Sequence, residues 1–180
     1  NIHLKIHKLF DGGEVGLDWI SPDGEVADNA PIVLFLPGLT GDSQSEYIKS
    51  FVNVARGSLR ARCVVFNFRG RGGHDLKTPR TYCASNSEDL ASVVEHIKNT
   101  YPDAPVLALG VSLGGKFLGK RPEVLFDHSD YFFLFHKTFL REECVKENED
   151  HDEKSSMPVR VKVFLERRDV GVKIKSISLP

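Results

Sequence analysis

The sequence predicts an α/β fold. Three continuous apolar runs, Ile32 to Leu36, Cys63 to Phe66 and Val106 to Leu109, are separated by two stretches with apolar residues at helical spacing. Runs without polar alternation suit strands covered on both faces, as in a parallel sheet flanked by helices. Strand, helix, strand, helix, strand then implies right-handed crossovers, with function gathered at the carboxyl ends of the strands.

Each element has its own signal. His3 to Ile20 alternates around a Gly12-Gly13 turn, which predicts a hairpin or two adjacent strands. Ser21 to Ala30 is a polar loop, and the first buried run ends at Pro37-Gly38. Ser43 and Glu46 have capping-box spacing. Tyr47, Ile48, Phe51, Val52 and Ala55 follow at helical intervals, with Gly57 as the stop. The second run leads into Asn67-Phe68-Arg69-Gly70-Arg71-Gly72-Gly73. Ser85 and Glu88 form another capping pair, and Leu90, Val93, Val94 and Ile97 make the stripe of the second helix.

Composition narrows the function. The 180 residues carry 24 Lys+Arg against 25 Asp+Glu, a net charge of -1. That balance argues against nucleic acid or anionic lipid as the main partner. No apolar stretch is long enough to span a bilayer. Cys63, Cys83 and Cys144 are too scattered for a disulfide framework, and His3 and His7 sit four apart in a strand-like segment, so no metal site is expected. No cofactor is implied. The first residue is Asn, which reads as a trimmed chain or a fragment, so a targeting or anchoring segment upstream would not be visible.

The chemistry lies after the third run. Gly110-Val111-Ser112-Leu113-Gly114 matches G-x-S-x-G, in which a serine stands on a tight strand-to-helix turn and small neighbours let strand and helix approach. Ser112 is the candidate nucleophile. The Leu113 amide at the helix start and the Leu39 amide of Pro37-Gly38-Leu39 are the candidate oxyanion donors. A bare small-residue turn is the plain alternative. Another is a degenerate P-loop, since Gly110, Gly115 and Lys116 fit G-x-x-x-x-G-K, although Phe117 replaces the Ser/Thr that holds magnesium. Arg69-Gly70-Arg71-Gly72-Gly73 is too short for an RNA-binding Arg-Gly segment and reads as a loop at a strand end.

Longer phrases add to the elbow: Asp11-Gly12-Gly13 through Leu17-Asp18-Trp19, Leu36 to Gly41, Ser45-Glu46-Tyr47-Ile48, Cys63 to Gly70, Thr78 to Leu90, and Gly110 to Gly115. Together they resemble the AB-hydrolase-4 family of α/β-hydrolase-domain-containing proteins, most closely the animal members numbered one and three, over residues 1–119. The resemblance implies the amino-terminal part of an α/β-hydrolase sheet. It also implies a Ser-Asp-His triad with Ser112 as nucleophile, and ester or phospholipid substrates. Membrane association is expected through an amino-terminal anchor helix upstream of Asn1.

The residues divide into a partial hydrolase domain at 1–120 and a divergent tail at 121–180. The stretch after Ser112 is too short for three more crossover units of about 30 residues each. Asp169, after the run Val159, Val161, Val163 and Leu165, is the one candidate for the triad acid, but no histidine follows it. His128, His136 and His151 all precede the last strand-like stretch, so no base is assigned. Tyr131 to Phe135 is densely apolar, Glu142 to Glu153 is acidic, and Val159 to Leu165 with Val170 to Ile177 suggests a hairpin. This ending reads as a substituted one, from splicing, a frameshift or a mispredicted gene. The edge of the third strand is expected to lie open. Two functions stand: a serine hydrolase of the ester or phospholipid class, and a catalytically incompetent variant that binds lipid or a partner.

Overall fold

The alternating segment folds as a hairpin in which β1 (Ile2–Lys8) and β2 (Glu14–Ile20) pair antiparallel from Ile2↔Ile20 to Lys8↔Glu14. The structure, a computed structural model, describes residues 2–83 and 87–118 and the backbone of four short strands beyond them. The apolar runs form β3 (Ile32–Leu36), β4 (Arg62–Asn67) and β5 (Val106–Val111). Between them lie α1 (Glu46–Leu59) and α2 (Glu88–Thr100), and α3 (Leu113–Leu118) follows β5. The remaining strands are β6 (Tyr131–Phe135), β7 (Arg160–Val161), β8 (Phe164–Leu165) and β9 (Ile177–Ser178).

The main sheet has the order β1-β2-β4-β3-β5-β6-β8. β3 pairs parallel with both β4 and β5, while β2 pairs antiparallel with β4. From β3 the chain passes to β4 on one side, then crosses to β5 on the other. Such a reversal opens a crevice at the carboxyl ends of the strands, here those of β3 and β5. The edge of β5 expected to lie open instead carries β6, paired parallel from Leu107↔Tyr131 to Val111↔Phe135. Of the hairpin expected in the tail, β7 pairs antiparallel with β9, while β8 joins β6.

Alternation along the strands sorts their side chains onto two faces. Ile32, Leu34, Leu36, Val64, Phe66, Val106 and Ala108 meet Leu90, Val93, Val94 and Ile97 of α2 and Phe117 and Leu118 of α3. Val33, Phe35, Cys63 and Val65 meet Ile48, Val52 and Ala55 of α1. Burial pushes the Cys63 thiol up to about 12, so it stays a protonated core residue.

The helix ends depart from the sequence reading. α1 begins at Glu46 with Ser45 at the cap position; Ser43 stays in the preceding loop, where its amide donates to Asn67 Oδ1 at 3.0 Å. Gly57 lies inside α1; the helix stops at Arg60, which adopts the left-handed conformation at φ 48°. Ser87 holds the cap position of α2, and Ser85 lies outside the described residues.

A buried arginine ties the layers together. Arg69, only 2% exposed just past β4, bonds Asp89 of α2 through Nε (2.6 Å) and Nη2 (2.7 Å). Nη1 and Nη2 also reach Asp11 in the hairpin turn, at 2.8 and 3.1 Å, and Nη1 meets Thr78 Oγ1 at 3.2 Å. Two bidentate pairs use the planar fork fully. Arg80 adds contacts to Asp11 and Glu88. The hairpin, the post-β4 loop and α2 are thereby joined through one side chain, and neither spacing nor periodicity pointed to it.

Three outcomes follow. Arg69→Ala takes the main partner from the buried Asp89 and half-buried Asp11 carboxylates and is expected to cost about 3–5 kcal/mol in urea unfolding. Its hydrogen bonds to Arg69, the largest influence, hold the Asp11 carboxyl at about 2, below its ordinary 3.8. That contribution is complete above about pH 4 and is lost as pH falls toward about 2. Asp11→Asn should flatten that part of a stability-against-pH curve. Gly57→Ala, where an added Cβ meets nothing within 4 Å, should stabilise α1 by about 0.5–1 kcal/mol in the same assay.

Candidate active site

Ser112 alone separates β5 from α3. Among the described residues it is one of three non-glycine residues with positive φ, at 53°. That conformation costs roughly 1–2 kcal/mol for an L-residue, so the surroundings must impose it. Two glycines do so. A Cβ at Gly110 would lie 2.5 Å from the Gly114 carbonyl carbon and the Gly115 nitrogen, and one at Gly114 would collide with the Leu36 carbonyl. Strand β5, helix α3 and the end of β3 therefore meet backbone to backbone. The expected tight turn is present, and its glycines have a steric reason.

The same packing brings the β3 loop to the serine. Leu36 is in register with Gly110, and a Cβ on Gly38 would sit 3.5 Å from Ser112 Cβ. The loop is held from two sides. The Gly38 amide donates to the Tyr47 hydroxyl at 3.0 Å. Asn67, buried at the end of β4, accepts from the Ser43 amide and donates to Asp18 of β2 at 2.7 Å. Leu39 follows Gly38 and is 66% exposed. Among the described residues its amide has no hydrogen-bond acceptor. Leu113 is the first residue of α3, so its amide has no partner within the helix. The sequence singled out Leu39, Ser112 and Leu113 as candidates, and the structure brings their two loops together. The sequence missed Tyr47 and Asn67, whose positions carry only the signals of a helix face and a strand end.

Beside this loop opens a cleft of about 340 Å³ whose walls include Leu39, Gly70, Arg71, Leu76, Thr81 and Tyr82. Among the described residues no hydrogen bond to the Ser112 hydroxyl is formed. The described histidines sit elsewhere. His3 and His7 are on β1, His7 bonding Ser92 at 2.8 Å and packing against His96 of α2. Burial, with a smaller effect of His96, pulls the His7 pKa below its ordinary value. His74 packs over Gly16. Asp169, His128, His136 and His151 lie outside the described residues.

The phosphate-cradle alternative does not survive this geometry. A P-loop needs a run of free amides between its glycines, yet Val111 is strand and Leu113 to Leu118 are helix. Phe117 is buried, with its ring 5.1 Å from that of Phe68, so the position needed for a metal-binding hydroxyl belongs to the core.

Comparison with known proteins agrees with the fold. Residues 31–118 match the family described as alpha/beta hydrolase fold. This segment has the α/β-hydrolase fold. Phospholipase ABHD3 of Homo sapiens is 48% identical over 115 residues, covering 62% of this chain and 28% of that protein. Monoacylglycerol lipase ABHD2 of Mus musculus is 32% identical over 125 residues, covering 66% and 29%. The chain thus spans less than a third of the length of these relatives. A Xanthomonas campestris a/b serine hydrolase without lid superposes with a TM-score of 0.57 at 18% identity, covering 69% of this chain and 57% of that one. That likeness concerns the fold. Among the described residues no helix is long and apolar enough to cross a membrane.

Within this segment the elbow glycines are the sensitive positions. Gly114→Ala forces a methyl group against the Leu36 backbone and is expected to destabilise by about 1–3 kcal/mol or more, read as a lower urea midpoint.

Proposed function

We propose that this chain carries the nucleophile and oxyanion half of a serine hydrolase acting on lipid esters, phospholipids first among them. Ser112, held at positive φ between β5 and α3, is the observation that carries this reading. The Ser112 oxygen attacks an acyl carbonyl, and the carbonyl oxygen gains charge in front of the Leu39 and Leu113 amides. Alcohol leaves, and water then releases the acid from the acyl-enzyme. The names borne by the relatives, phospholipase and monoacylglycerol lipase, support the lipid class. Membrane association through a segment preceding Asn1 belongs to the same proposal.

The serine is weakly nucleophilic without a base. None of the described histidines bonds it. That observation supports a second reading, lipid binding without turnover. A fluorophosphonate probe separates the two. The expected result is slow labelling that disappears in Ser112→Ala, well below that of a full-length relative, with both proteins checked by circular dichroism. A folded chain with no labelling at Ser112 would leave only the binding reading.

A further inference from the structure

We propose that Arg71 is the phosphate-recognising residue of the cleft beside the Leu39 loop, selecting ester substrates that carry a phosphodiester for Ser112; this rests on the hydrolase reading of that site. The cationic side chains nearby are mostly committed. Arg69 is saturated by Asp11 and Asp89, Arg80 by Asp11 and Glu88, and Lys77 pairs with Asp75. Arg71 has no carboxylate partner among the described residues. Its one side-chain hydrogen bond there runs from Nε to the Tyr82 hydroxyl at 3.2 Å, so both terminal nitrogens keep their donors.

The side chain is placed for that work. The Arg71 amide donates to Phe68 O at 2.9 Å and its carbonyl accepts from His74 at 3.3 Å, so two successive turns fix its backbone. Gly70 and Gly72 on either side have φ of 68° and 66°, which glycine adopts without strain. The guanidinium carbon lies 6.0 Å from the centre of the Tyr82 ring. Tyr82 stacks on Phe68 at 4.7 Å, and Phe68 packs against Phe117 of α3. A row of aromatic rings thus links Arg71 to the helix that starts at the elbow. The cation is supported by packing, and its fork matches two oxygens of a phosphodiester.

The rest of the cleft fits the same substrate. Leu39 and Leu76, both substantially exposed, give it apolar walls, and the loop bearing Leu39 touches Ser112. A glycerophospholipid carries its phosphodiester on the same glycerol as its ester bonds. A group gripping that phosphate one loop away from the serine would orient the ester against Ser112. Arg71 is in this sense a specificity-determining residue.

Binding tests this without relying on turnover. Affinities of a soluble short-chain phosphatidylcholine, the diacylglycerol with the same acyl chains, and inorganic phosphate are measured by calorimetry for the chain, Arg71→Gln and Arg71→Lys. Circular dichroism melts confirm that each variant folds. Arg71→Gln is expected to weaken phosphatidylcholine about ten- to a hundredfold, leave diacylglycerol unchanged, and be partly rescued by Arg71→Lys. Inorganic phosphate should bind far more weakly than the lipid. Equal losses for both lipids, no loss for either, or no phosphatidylcholine binding by the unmodified chain overturns the proposal. Phosphate binding as tightly as the lipid overturns the lipid assignment. The fluorophosphonate result is independent: labelling with Arg71-insensitive binding removes only this proposal, and Arg71-dependent binding without labelling removes only the hydrolase.

Discussion

The meeting of three backbones at Leu36, Gly110 and Gly114 is the constraint on which the site depends. A side chain larger than hydrogen at either glycine would push α3 away from β5 or from β3. The contact fixes where α3 starts, which leaves Ser112 as a single residue between strand and helix. Its left-handed backbone follows from the lack of room for any longer connection. Strain of roughly 1–2 kcal/mol is small beside the apolar burial of the two helix layers, so the fold can hold it.

The switch in strand order makes that strain useful. Because β3 lies between β4 and β5, the loops after β3 and β5 rise side by side, and Gly38 comes against Ser112. Tyr47 and Asn67 then restrain the β3 loop from α1 and from β4. Oxyanion donors act only if they are held before charge develops. The loop carrying Leu39, the proposed donor, is held in this way by Tyr47 and Asn67.

What the sequence made legible follows from which forces are local. Buried strands announce themselves as unbroken apolar runs, and α1 and α2 as stripes, so β3, β4, β5 and both helices were readable. Ser112 was readable because G-x-S-x-G encodes a local steric need. Helix ends were less so: Ser43 has capping spacing, but Asn67, distant in sequence, takes its amide. Arg69 was readable as part of a loop at a strand end but not as a buried clamp, since Asp11 and Asp89 come to it from 58 and 20 residues away. Long-range polar pairing leaves no periodic trace. The edge of β5 was misread for a related reason, because β6 joins it by backbone pairing that composition does not record.

Among the described strands the main sheet ends at β8 on one side and at the longer β1 on the other. Ile2, Leu4 and Ile6 line one face of β1 and remain exposed, a pattern that invites pairing with another chain. Two features oppose it. Lys5 and Lys8 interrupt the strand, with Lys5 drawn over the Trp19 ring at 5.6 Å, so an added strand would meet positive charge. The far end of the hairpin is clamped by Asp11 on Arg69, which keeps β1 and β2 in their seven-residue register. The clamp that joins the layers of the core thus also keeps the edge strand paired, and an acid-weakened Asp11 would loosen both together.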